Sequence, residues 1–198
     1  MGLLLDAAKV WDSLHNTYYI MDVARKGKLQ RIELSFSSED FSHLAGMQYA
    51  QDVDFGIRKS LYYGERLIPA LLSGQMNDEK IENSRNWEKI SGRLSAIINL
   101  TKTLDGQFVI VSFNNTRVKG YCKIAAKYAI KNVISGDMYF LFIDERSGQY
   151  YFKSAFKKED VDYTENQPVL TMLQKIKVID NARSVLYSRE GYQPEDIV

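Results

Sequence analysis

The hydrophobic period of this chain changes near residue 106 from helical to strand-like, and that change limits the fold more than any motif does. Before it, Trp87, Ile90, Leu94, Ile97, Ile98 and Thr101 recur at three- and four-residue spacing, the clearest helical face in the sequence. After it, from Gln107 onward, the pattern is that of strands. FVIVSF at 108–113 reads as a short buried strand, 138–144 and 149–156 as a hairpin around Glu145-Arg146-Ser147-Gly148, and 169–180 as a further strand. Helices and strands are therefore expected to be segregated, which favours α+β over a doubly wound parallel sheet.

The N-terminal part fits the same class. Leu4, Ala7, Ala8, Trp11 and Leu14 predict a helix over 3–15, and 18–24 and 29–36 predict strands around Arg25-Lys26-Gly27-Lys28. Ser37 is placed to cap the next helix, with Asp40 three residues on as a short variant of the capping box. On that helix Phe41, Leu44, Ala45 and Gln48 share a face, and His43 lies off it. Residues 57–73 also look helical, with Pro69 bending or restarting the segment. The expected architecture is N-terminal helices with a strand pair, followed by a C-terminal antiparallel sheet. One domain spans 1–180, its weakest connection lies at 77–86, and 181–198 read as a loosely held polar tail.

Composition narrows the function classes. With 26 basic and 25 acidic side chains the formal charge is +1, so no global charge announces a nucleic-acid or membrane partner. One cysteine and two histidines exclude an intrachain disulfide and make a zinc site improbable. MGLLLDAAKVWDS has no secretory features and no apolar run approaches a membrane span, so a cytoplasmic protein is expected. Glycine-rich nucleotide loops, GxSxG and HExxH are absent.

Two stretches invite a binding reading. Lys119, Lys123, Lys127 and Lys131 recur every four residues and suit phosphate contacts, or simply a solvated face of a strand or helix. Strand is favoured there because Tyr128, Ile130 and Val133 are strand formers. In QYYFKSAF, Tyr151 and Lys153 share one face, which suits stacking on a base, or plain packing in a sheet. His15 reads as a histidine at a helix C-terminus.

FSHLAG (41–46), then KYAIKN, DMYFLFIDE and QYYFKSAF in the same order, resemble elements of phage-encoded domains of the barnase–EndoU–colicin E5/D–RelE-like nuclease family. The resemblance covers about 3–180. It implies an α+β nuclease fold and RNA cleavage without metal or other cofactor, often as a toxin with an antitoxin partner. Carried over by position, His43 would be the acid or base, and Ser154 a polar contact to the phosphate or 2′-oxygen. Lys153 is favoured by charge, yet neighbouring strand residues face opposite sides, so Lys153 and Ser154 share a site only across a bulge or strand end. Lys123 and Lys127 would contact phosphate, and Tyr151 would stack. The chain departs from two-histidine members, having none after His43, so a second acid–base role falls to a lysine, tyrosine or carboxylate. The alternative is a catalytically inactive module of the same fold that binds RNA or a protein partner; a third reading, a structural dimerisation protein, rests on the tyrosine content.

Overall fold

A computed structural model describes residues 2–158 and 160–194. Helix α1 (Leu3–Asp12) leads into the hairpin β1 (Thr17–Arg25) and β2 (Lys28–Ser35). Four further helices follow, α2 (Ser38–Leu44), α3 (Leu67–Leu72), α4 (Trp87–Ile98) and α5 (Leu100–Asp105). Then come β3 (Val109–Ser112), β4 (Tyr128–Ile134), β5 (Asp137–Arg146), β6 (Gln149–Lys157), β7 (Thr171–Ile179) and β8 (Ala182–Ser188). The 57–73 stretch holds less helix than its apolar spacing suggests: two single 3-10 turns precede the six residues of α3. Pro69 sits in the first turn of α3, where its missing N–H has no helical acceptor to lose.

Every strand joins one sheet in the order β3-β4-β5-β6-β2-β1-β7-β8. The segregated layout is corrected here, because the N-terminal hairpin occupies the middle of the sheet rather than a place of its own. The sheet also curls back on itself. Residues 168–170, just ahead of β7, bond the outer edge of β3 through Ser112 N to Pro168 O and Leu170 N to Ile110 O, both 2.9 Å. The stretch read as a polar tail opens with β8, and beyond it Tyr192 donates to Asp22 at 3.1 Å. Asp22 is 1% exposed and also takes two bonds from its cross-strand neighbour Arg31.

Both faces of the β4–β6 region are buried. One shares a core with the helices, joining Leu141, Ile143, Phe152 and Ala155 to Trp11, Phe41 and Leu94. The other packs Phe113, Phe140, Phe142 and Phe156 beneath Tyr163 and the 118–126 segment. Residues 121–126 are irregular, and β4 begins at Tyr128, so the lysine series does not lie along one strand. Lys119 pairs with Glu165, Lys127 with Glu145 and Lys131 with Asp162, one carboxylate on β5 and two in the connection between β6 and β7.

Helix α5 is fastened to the sheet at its C-terminus. Asp105 accepts from Tyr19 at 2.6 Å and pairs with Lys177 at 2.9 Å. Lys175, only 4% exposed, turns its ammonium to the carbonyls of Leu104, Asp105 and Gly106, the groups a helix end leaves without donors. Burial pulls that ammonium down to about 8, with Asp105 opposing, so it stays charged at neutral pH. Lys175→Met keeps the stem and removes the donors. We expect it to lower stability by about 1–3 kcal/mol, seen as a lower urea midpoint at unchanged slope.

Candidate functional site

Strand β6 has different neighbours along its length. Its second edge meets β2 at one parallel pair, Leu34 with Tyr150. From there β2 ends and the chain turns into α2, so the rest of that edge faces α2 and α4 instead of a strand. Helix α4 comes close because it carries Gly92: a Cβ there would stand 3.3 Å from the Lys157 carbonyl. Against β5 the same strand changes register. Phe152 lies across from Ile143 and Ser154 across from Phe142, which leaves Lys153 as an unpaired bulge residue. Phe152 faces the helix-side core while Ser154 is aligned with Phe142 on the opposite face. The bulge therefore puts Lys153 and Ser154 on the same side.

The FSHLAG stretch folds to place His43 against this bulge. Ser37 caps α2 by accepting from Glu39 N at 3.3 Å, Phe41 and Leu44 are fully buried, and Gly46 ends the helix at φ 84°. His43 lies on the outer side of α2, where its imidazole N–H faces the Lys153 main-chain carbonyl as acceptor. Partial burial lowers the His43 pKa most, the charges of Arg93 and Lys153 lower it further, and the Lys153 main chain opposes them. The net direction favours the neutral ring, the form that takes up a proton.

Around His43 lie groups of complementary kind. Arg146, the last residue of β5, stands 5.0 Å from the Tyr151 ring centroid, and Lys153 lies over the same ring at 6.0 Å. Asp40, one helical turn before His43, is raised above the usual carboxylate range by burial, while Arg146 pulls it back. Arg93 completes the set from α4. Its guanidinium is wedged 5.3 Å from the Tyr49 ring and 6.0 Å from Phe156, and it donates to the Leu44 carbonyl at 3.5 Å. No described carboxylate pairs with Arg93 or Lys153.

Of the residues singled out from sequence, Lys153 adjoins both His43 and Tyr151. Ser154 adjoins them but is 5% exposed. Lys127 is committed to Glu145 at 2.6 Å, and Lys123 lies on the irregular segment over Tyr121. Arg93, Asp40 and Arg146 were missed. Gly92 was the signal for Arg93, since a glycine inside a helix marks a close approach; nothing distinguished Asp40 and Arg146 from other surface charges. Among the described residues no cluster of three or more His, Cys, Asp or Glu is placed to hold a metal ion, and no helix is long and apolar enough to cross a membrane.

A family model described as phage-Barnase-EndoU-ColicinE5/D-RelE like nuclease4 matches residues 3–190. The chain belongs to this family of nuclease-like domains. No curated protein and no solved structure matches it.

The His43 environment is open to direct measurement. In a proton NMR titration its ring signals should report a pKa below 6.5. Lys153→Met, which removes one nearby positive charge, should move that pKa upward.

Proposed function

We propose that this member of the phage-Barnase-EndoU-ColicinE5/D-RelE like nuclease family is a metal-independent RNA endonuclease. The observation that carries the reading is His43, biased toward its neutral form beside two cations with no carboxylate partner among the described residues, Arg93 and Lys153, in a domain of nuclease-like family. A neutral imidazole is a competent general base near pH 7, and guanidinium and ammonium groups stabilise charge that develops on phosphate oxygens.

In this mechanism His43 takes the proton of a ribose 2′-hydroxyl. The 2′-oxygen bonds to the adjacent phosphorus, the phosphorus–O5′ bond breaks, and the departing oxygen accepts a proton. Asp40, raised by burial and one turn along the same helix, is assigned that second transfer. The products are a 2′,3′-cyclic phosphate and a free 5′-hydroxyl. Lys153 rather than Ser154 is assigned the phosphate, because Lys153 is half-buried whereas Ser154 is nearly enclosed. Tyr151, beneath Arg146 and Lys153, is the surface for a base. The reading includes a toxin-like role in the cytoplasm, with an antitoxin or other protein covering this face.

Purified protein incubated with mixed cellular RNA in EDTA should cleave it, and His43→Gln should lower the rate by about 10²- to 10⁴-fold. Because the His43 pKa is lowered, the base form is lost only as pH falls through that lowered value. The acid limb of kcat/KM should therefore lie below 6.5 and disappear in His43→Gln. Expression of the wild type should arrest growth where His43→Gln does not. Folded wild-type protein that binds RNA without cutting it would replace this reading with the non-catalytic module.

A further inference from the structure

Arg93 faces two ways. It neighbours His43, and it also lines a cleft of about 930 Å³ between α4 and the end of β6, a size suited to a small ligand. His43 is not part of that wall. Tyr49 and Phe156 supply its aromatic surface, and Lys89, Arg93, Lys157 and Lys158 its cations.

The charges in the cleft are unevenly compensated. Lys157 pairs with Asp137 and Lys158 with Asp160, each at 2.8 Å, and Glu88 also acts on Lys158. Lys89 and Arg93 have no described carboxylate partner, although they stand one turn apart on α4 and lie over the same Tyr49 ring, at 5.8 and 5.3 Å. Like charges at this spacing repel, and Arg93 is half-buried, so its charge is poorly hydrated. The Tyr49 hydroxyl and the Leu44 carbonyl are its polar partners, and neither carries a negative charge. Two cations held over a ring at the mouth of a cleft form a site for an anion attached to something flat.

We propose that this cleft is the subsite for the nucleotide next to the scissile linkage, its phosphate held by Lys89 and Arg93 and its base against Tyr49 and Phe156. The proposal rests on the RNA reading of the His43 face and adds a direction to it. The strand runs from the bulge at Lys153, past Arg93, into the cleft. The side chains reach phosphate and ring faces rather than base edges, so the subsite favours single strands over a duplex.

The test is binding of an uncleavable 2′-fluoro RNA oligonucleotide, followed by fluorescence anisotropy over a range of salt. Lys89 is exposed, so its replacement does not endanger folding. Lys89→Ala should weaken binding about five- to tenfold and lower the slope of log affinity against log salt by about one. Lys89→Arg should restore both. Wild-type affinity and slope in Lys89→Ala, with binding lost in Lys153→Ala, would overturn the cleft and leave the RNA reading standing. No binding by the wild type would overturn both and point to an acidic protein surface as the partner of these cations.

Discussion

The site depends on a strand that changes partners. A β-strand needs acceptors and donors along both edges, and β6 has a full antiparallel partner only in β5. On the other side β2 meets it at Leu34 and Tyr150 and then leaves. The vacated edge is where α2 and α4 dock, and His43 engages the Lys153 main chain there. The bulge at Lys153 adds what a regular strand cannot give, two consecutive side chains directed to one side. The His43 imidazole, the Lys153 ammonium and the Tyr151 ring are thereby brought to a seam between helix and sheet.

Charge placement, rather than charge total, distinguishes this face. The net charge of +1 conceals a division between neutralised and unneutralised cations. Lys119, Lys127 and Lys131 are each paired with a carboxylate, the last two fastening loops to the sheet and the first joining two loops. Lys89, Arg93 and Lys153 have no carboxylate partner among the described residues. Arg93 is the most informative of these, because a half-buried guanidinium with no counter-charge among the described residues is a local cost, set against its packing on Tyr49 and Phe156. Such a group is stabilised when an anion arrives.

Much of this was legible in the sequence, and the parts that were not have physical reasons. Local patterns carried the two hairpins, α1, the Ser37 cap and the outward position of His43, because each is set by neighbours a few residues away. The bulge was legible only as a condition under which Lys153 and Ser154 could cooperate. Sheet order was hidden, since alternation along β1 and β2 says nothing about which strands flank them. The lysine series misled because its even spacing crosses from an irregular segment into β4, so a shared direction never arises. In 57–73 the buried apolar residues Leu67, Ile68 and Leu71 all lie on the six residues of α3, while the two 3-10 turns before it bury none, so the apolar spacing overstated the helix. Arg93 stayed hidden because its role is defined by Tyr49 and Phe156, far away in the chain. Residues 182–188 looked like a tail because an edge strand exposed on one side has few apolar positions, here mainly Leu186 packing inward.

The closing of the sheet through residues 168–170 also sets the order in which the protein can become itself during synthesis. Strand β1 leaves the ribosome early, but its second edge pairs with β7, Thr17 with Ile179, and β3 likewise receives its outer partner only from 168–170. Long-range pairings of this kind form late, since the loop entropy must be overcome before any contact compensates it. The nascent chain therefore carries β1–β6 and both helices of the His43 seam with the ring still open. The architecture around the His43 seam is therefore complete only once residues 168–179 have joined the sheet.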